Sequence, residues 1–385
     1  MNKIYTLAVI LIISVCFLHA TETRIGALGS ENQFIMDDSN IFRYPSALER
    51  FVERGIVEYG LHPYADSLAY FSLLKEIGRL GNIGLVFGKT GIPALPTTSS
   101  QTLVVQPDAL ITLLYSLRIK ESVSVGISTG YGTAVIQDDE EGTANDMTNE
   151  SNVSAATASL SYFLGEQEHL VELSGGAQKY DFTYSLGDNF SFTNDNKMST
   201  NFDGRFFYLV NDYVSLIPFF SYSTLDLSSK EMVSSVQTAV QRLTTSTKAG
   251  LGINIIPFDE NKVFIGVLYN HVTYEQSTTT YDTTVSKTSF PAFIASLESD
   301  IKSWLTVRAG MNKSLIMNEL RSENGITSVL TNKTAPLNLN LGLRLKCGSL
   351  EVDAILHEDI PFTHGFLMSG TENPIFTRIS ATYLF

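Results

Sequence analysis

The chain has 385 residues, with 26 Lys+Arg against 40 Asp+Glu and a net charge of −14. Charged residues are 17% of the total, below the roughly 25% of an average soluble protein, while apolar residues reach 44% and aromatics 11%. This composition excludes a disordered chain and a basic nucleic-acid-binding surface, and 2 cysteines exclude a disulfide scaffold.

Residues 1–20 read as a cleaved secretory signal peptide. Lys3 supplies the positive start, Ile4 to Leu18 is almost wholly apolar, and His19-Ala20 offers a small residue at the cut. An uncleaved anchor is the rival, but a span needs roughly 20 apolar residues. A lipidation site at Cys16 is disfavoured because Val15 precedes it, where a small residue is wanted. After cleavage only Cys347 remains, so no internal disulfide can form.

Residues 21–53 are expected to form a periplasmic N-terminal segment. Pro45 can open a short helix, with Leu48, Phe51 and Val52 at helical spacing. That helix would either plug a barrel mouth or belong to a tail, and both readings stand. Gly55-Ile56-Val57-Glu58-Tyr59-Gly60 reads as a short strand, and Ser67 to Ile77 as a strand or an amphipathic helix.

From residue 81 onward the dominant signal is alternation. Leu337, Leu339, Leu341, Leu343 and Leu345 share one face of a strand, opposite Asn338, Asn340, Gly342, Arg344 and Lys346. As a helix these leucines would scatter around the axis. The pattern recurs with Val123 to Tyr131 and with Ile111 to Ile119. It returns with Phe202 to Val210, Ala249 to Ile255, Leu305 to Met311 and Leu350 to Leu356. Fourteen strands are expected, near 81–90, 108–119, 122–135, 153–164, 168–182, 200–210, 212–223, 245–256, 261–275, 289–299, 303–315, 335–346, 349–357 and 376–385. Two further strands in 54–80 would make sixteen, the preferred count. A plug or cap there would leave fourteen, and both totals are even, as such barrels require. Pro218 removes a ladder donor from its strand, so a bulge or edge-like site is expected there.

Many runs reach 10–12 residues, the length of a tilted membrane-spanning strand. Short turns, as at Lys120-Glu121, Asn211-Asp212 and Cys347-Gly348, alternate with long polar stretches near 92–107, 136–152, 184–199, 224–244, 276–288, 316–334 and 358–374. Short turns inside and long loops outside are the rhythm of an outer-membrane barrel. Residues 54–385 are therefore read as one all-β domain, a transmembrane antiparallel β-barrel with short periplasmic turns and long extracellular loops.

On that reading the polar faces point into the lumen. The lumen-facing candidates are Arg118, Glu172, Asp203, Arg205, Lys248, Glu298, Arg308, Arg344, Glu351 and Asp353. Their signs nearly balance, against a strongly ion-selective pore. Phe207, Leu209, Leu114 and Leu384 add apolar lining. No His-x-x-x-His spacing suggests a metal. The acidic run Asp138-Asp139-Glu140-Glu141, with Asp146 and Glu150, lacks the spacing of an EF-hand. His271 has no nucleophile beside it in sequence, so neither an enzyme nor a cofactor is expected.

Two stretches carry resemblances. Phe385 ends the chain, and Tyr383, Ala381, Ile379 and Thr377 step back from it by two. This resembles the C-terminal signal that the barrel-assembly machinery reads, with Tyr383 and Phe385 as its aromatic positions. The order Arg24-Ile25-Gly26-Ala27-Leu28-Gly29, then Asp37-Asp38-Ser39-Asn40, then Tyr44-Pro45-Ser46-Ala47-Leu48 resembles the start of FadL-type outer-membrane transport proteins and their PorV-like relatives. Tyr44-Pro45-Ser46 stands where that family usually has Asn-Pro-Ala. The resemblance implies passive uptake of small solutes, hydrophobic ones among them, across the outer membrane. Its PorV-like branch implies instead a non-transporting barrel that docks a partner in secretion.

Overall fold

The computed structural model describes residues 22–29, 32–60, 69–89, 108–138, 147–165, 169–186, 190–195, 197–233, 236–258, 261–278, 282–323, 327–356 and 376–385. The expected signal peptide at 1–20, His62, His357, His364, most of the acidic run after Asp138 and the stretches near 92–107 and 358–374 lie outside these residues.

Among the described residues, nineteen strands form one antiparallel sheet. In chain order they are β1 (Arg54–Gly60), β2 (Tyr70–Glu76), β3 (Asn82–Phe87), β4 (Asp108–Lys120), β5 (Val123–Asp138), β6 (Met147–Leu164), β7 (His169–Leu186), β8 (Phe190–Asn194), β9 (Met198–Asn211) and β10 (Val214–Asp226). They continue as β11 (Ser229–Val233), β12 (Val236–Phe258), β13 (Asn261–Ser277), β14 (Asp282–Lys302), β15 (Leu305–Glu323), β16 (Thr327–Thr334), β17 (Leu337–Cys347), β18 (Leu350–Leu356) and β19 (Phe376–Leu384). Three lines of the wall are each broken once. β8 and β9 both lie along β7, β10 and β11 both along β12, and β16 and β17 both along β15. The wall therefore has sixteen lines. It closes where β1 meets β19, with Gly55 opposite Tyr383 and Gly60 opposite Arg378. Closure leaves no edge, so every ladder group can pair inside the sheet.

The alternation has the polarity of a membrane barrel rather than of a soluble sandwich. On β4, Leu113 is 49% exposed while its neighbour Leu114 is 3% exposed. On β7, Leu173 is exposed between buried Glu172 and buried Ser174. The exposed set is apolar all round the wall, including Ile127, Leu160, Phe202, Leu251, Ile265, Phe293 and Leu345. The buried set is rich in polar groups, among them Ser72, Ser161, Glu172, Arg308, Asp353 and Ser380. A soluble sandwich would bury the first set and wet the second, so this wall is a transmembrane one. Among the described residues no helix is long and apolar enough to cross a membrane; the strands do so.

The structure redraws several expected boundaries. Much of 184–199, 224–244, 276–288 and 316–334 is paired strand, and β12 alone runs for 23 residues. These extensions carry Ser and Thr on both faces, so the period-two hydrophobic signal vanishes although the ladder continues. The uncertain stretch near 67–77 is a strand at Tyr70–Glu76. At Pro218 the register with β9 stays constant, Leu216 opposite Tyr208 and Phe219 opposite Arg205, with Ile217 and Pro218 leaving a gap in the ladder. The register shift lies nearer the turn, between Val214 and Ser215.

The N-terminal segment lies against the inner wall. It forms one short helix, α1 (Glu22–Ala27), and three 3-10 turns, Asn32–Phe34, Asp38–Phe42 and Pro45–Arg50. Helix α1 packs on β15, β17, β18 and β19, the first turn on β10, and the third on β3, β4, β5 and β6. The segment thus touches walls on opposite sides of the ring. Leu28, Phe34, Ile41, Tyr44, Ala47 and Leu48 are all buried.

Candidate functional site

The contact between the N-terminal segment and the wall is the richest chemical region among the described residues. Glycines on inward positions make it close. A Cβ on Gly126 would lie 2.1 Å from the Ser46 backbone nitrogen, and one on Gly310 would lie 2.1 Å from the Leu28 carbonyl. Phe34 enters a recess floored by Gly250, Gly252 and Gly266. Its ring meets Phe219 edge-on at 4.9 Å and Phe264 at 5.0 Å. Ile217, Leu268 and Ile294 complete this apolar cluster.

Two ion-pair clusters hold the segment on opposite walls. In the first, Arg24 donates to both carboxylate oxygens of Glu298, at 2.8 and 2.9 Å, and to Asp37 at 2.8 Å. Arg308 donates to the same Glu298 at 2.6 Å and also to Asp353. Arg344 reaches Asp353 and Glu351, each at 3.0 Å. In the second, Arg205 grips Glu172 from Nε at 2.7 Å and pairs with it through its terminal nitrogen at 2.6 Å. Arg50 of the third turn binds Glu172 too. Arg205 also donates to the carbonyls of Asn32, Gln33 and Ile35. Gln33 donates to Asp203 at 3.0 Å and accepts from the Tyr44 hydroxyl at 2.7 Å. Buried charges of this kind are tolerated only when each finds its partner.

Smaller contacts fill the gaps. Arg118 and Ser124 both donate to Glu49. The Ser46 backbone N–H donates to Ser159 at 2.7 Å, and its hydroxyl lies 2.8 Å from that of Ser161. Burial, with the Asp37 carboxylate next to it, pushes the Asp38 carboxyl well above the usual range, although Arg54 lies 3.3 Å away. The Tyr44 phenol is raised by burial as well.

Nine of the ten candidate wall charges fall into these contacts. Glu298, Arg308, Asp353, Arg344 and Glu351 meet in the first cluster, Glu172, Arg205 and Asp203 in the second, and Arg118 on Glu49. Lys248 lies outside both clusters, on the face of β12 that also carries Gly250 and Gly252. Tyr383 and Phe385 are exposed and stack at 6.4 Å. His271 is bracketed by hydroxyls, Thr288 at 2.8 Å and Thr273 at 3.0 Å. No metal-ligating group of three occurs among the described residues.

Sequence reasoning missed the partners, Arg24, Gln33, Phe34, Asp37, Glu49 and Arg50. Arg24 lies on the short helix α1, and the others sit on or beside irregular turns with no period. The usable signal was the glycines on the polar faces, which mark where another backbone approaches.

Next to Phe34 lies a cavity of about 290 Å³. Leu28, Ile35, Phe207, Leu209 and Phe264 line it, with Arg24, Lys262 and Glu298 also on its wall. It lies toward the short-turn end of the barrel, near the β9–β10 and β12–β13 connections.

No known family and no curated protein matches the chain. Solved structures of similar outline include a Pseudomonas aeruginosa FadL homologue, at 11% identity and a TM-score of 0.46, covering 96% of this chain and 99% of that one. The Pseudomonas putida toluene transporter TodX matches at 10% identity and 0.42, covering 94% and 97%. The ferric yersiniabactin uptake receptor FyuA from Yersinia pestis matches at 8% and 0.39, covering 86% and 80%. Likeness this remote assigns neither a family nor a function to the chain.

Proposed function

We propose that this is a bacterial outer-membrane barrel that passes small apolar solutes, with the N-terminal segment as stopper and the cavity beside Phe34 as a resting place. The cavity carries the reading. A dry apolar cavity of about 150 Å³ takes up benzene; this one, of about 290 Å³, is open on one side and carries Arg24, Lys262 and Glu298 as well, so a hydrocarbon of one or two rings would rest against its Phe207, Leu209 and Phe264 side. Nine of the ten candidate wall charges pair with one another or with the segment, which speaks against an ion-selective pore. The apolar exterior fits outer-membrane lipid, and the first twenty residues fit export. Tyr383 and Phe385 fit recognition by the barrel-assembly machinery. None of this calls for catalysis.

The test is binding of 4-fluorotoluene, followed by fluorine NMR in detergent micelles. The protein is expected to give a bound resonance that Leu209→Trp, which fills the cavity, abolishes. Identical spectra from both proteins would exclude the site.

A second reading, a non-transporting accessory barrel that docks a partner, is favoured by how thoroughly the segment is tied down. It predicts that the lumen stays shut whatever apolar solute is added. Flux of a labelled alkylbenzene into sealed proteoliposomes, above that of protein-free vesicles, would exclude it.

A further inference from the structure

Three elements converge on Glu53, the residue that joins the N-terminal segment to β1. Its backbone has φ of +57°, the one non-glycine with positive φ among the described residues. A side-chain-bearing residue stays in that conformation only where its surroundings over-determine it. Here they do. The carboxylate accepts from Lys75 Nζ at 2.5 Å and from the Glu76 backbone N–H at 3.2 Å, both on β2. Its carbonyl accepts from the backbone N–H of Phe385, at the chain's end, at 3.2 Å. Lys75 Nζ also sits 5.1 Å over the Phe385 ring. One step further, Arg54 stands opposite Leu384 on one side and Leu74 on the other, and its guanidinium reaches back to Asp38 of the segment. The seam between first and last strands and the exit of the N-terminal segment therefore share one knot.

We propose that Glu53 and Lys75 form a clasp that couples closure of the barrel seam to seating of the N-terminal segment, so that the ring closes around an already filled lumen. Glu53 can present its carbonyl to Phe385 only when its backbone is turned. The turn is held by the β2 contacts on one side and by the docked segment on the other. Without the docked segment, only the β2 contacts fix the direction in which the chain enters β1, and the acceptor for the last pair of the seam is held from one side alone. Lys75 locks the arrangement by holding the Glu53 carboxylate and covering the Phe385 ring at once.

The experiment is refolding of the full chain from denaturant into detergent, sampled over time. Unheated gel migration reads closure of the barrel. Brief trypsin treatment reads seating, through cleavage at Arg24, Arg43 and Arg50. In the wild type the two curves are expected to coincide, with no closed species that trypsin can still cut. Lys75→Gln is expected to close first and seat later, so that a closed, cleavable band appears. Lys75→Arg, which keeps the cation, restores coincidence. A closed, cleavable band in the wild type would overturn the proposal. So would Lys75→Gln refolding with the two curves still together. Should Lys75→Gln not fold, the wild-type curves decide alone.

Discussion

Arg24 and Glu298 stand 274 residues apart in sequence, and Arg24 closes a two-pronged hydrogen bond on both oxygens of the Glu298 carboxylate. That fork joins α1 of the N-terminal segment to β14. Glu298 serves Arg308 at the same time, so the two ends of the pair are not equivalent. Removing Glu298 takes a carboxylate from two buried guanidinium groups at once, leaving Arg24 only Asp37 and Arg308 only Asp353, whereas removing Arg24 leaves Glu298 its partner Arg308. Glu298→Ala is therefore expected to destabilise the barrel by at most about 3–5 kcal/mol, the cost of removing one partner of a buried ion pair, and Arg24→Gln by clearly less. Thermal unfolding followed by gel migration checks the order. In a planar bilayer the wild type is expected to be silent and Arg24→Gln to show brief conductance steps as its segment loosens. Equal melting of the two variants would place the energy elsewhere.

The recess at Phe34 gives a sharper steric expectation. Phe34 is 1% exposed and packs on glycines and two aromatic rings. Phe34→Ala is expected to cost about 3–5 kcal/mol, as deletion of a buried aromatic does, and to enlarge the apolar cavity. The wall glycines test the same contact from the other side. Gly126→Ala puts a methyl into the Ser46 backbone, whereas Gly175→Ala meets nothing closer than 3.8 Å. Only the first should expose the segment to trypsin. Matching digestion of the two would mean that the glycines do not govern seating.

What could be read beforehand follows from where period two survives. Inward and outward faces were legible at Leu337 to Lys346 and at Arg205, because one face meets lipid and the other does not. Fourteen spanning lines were legible because those strands carry that contrast, and the choice of sixteen over fourteen turned on the stretch near 67–77, which is strand at Tyr70–Glu76. The Ser- and Thr-rich reaches of β11, β12 and β16 had no contrast to show, and so they read as loops. The site was half legible. Glu172 and Glu298 could be placed on inner faces. Their partners Arg50 and Arg24 could not, because a 3-10 turn and a six-residue helix are too short to show a period.

The buried carboxyl of Asp38 makes the seating of the segment depend on pH. Burial and Asp37 raise its pKa in the folded chain, so folding favours the protonated form. Its favourable contribution is complete below the ordinary carboxylate range and fades as pH rises through the elevated folded value. Asp38→Asn copies the protonated form permanently. The variant's segment is expected to resist trypsin like the wild type in mild acid and better than it as pH rises. Glu53 runs the other way, since Lys75 holds its carboxyl below the usual range. Its contribution is present above the ordinary carboxylate value and is lost as pH falls through the folded one. Digestion rates across pH for both proteins separate the two. Parallel profiles would remove Asp38 from the account.

The gap at Pro218 offers a gain rather than a loss. Proline donates nothing to the ladder, and the register on either side of the gap is the same. The backbone is thus already laid out for a bond that residue 218 cannot make toward β9. Pro218 is opposite Leu251 on its other side, where pairing is continuous, so only one seam is affected. Pro218→Val supplies an N–H and a residue suited to a strand. It is expected to stabilise the barrel by about 0.5–1.5 kcal/mol, the net worth of one hydrogen bond, and to slow amide exchange at its neighbours on β9. The gain should be visible as a later thermal transition with the segment's trypsin resistance unchanged. A lower transition would show that the proline ring fits this wall better than the missing bond would, and that the gap is part of how β9 and β10 are shaped beside the cavity at Phe207.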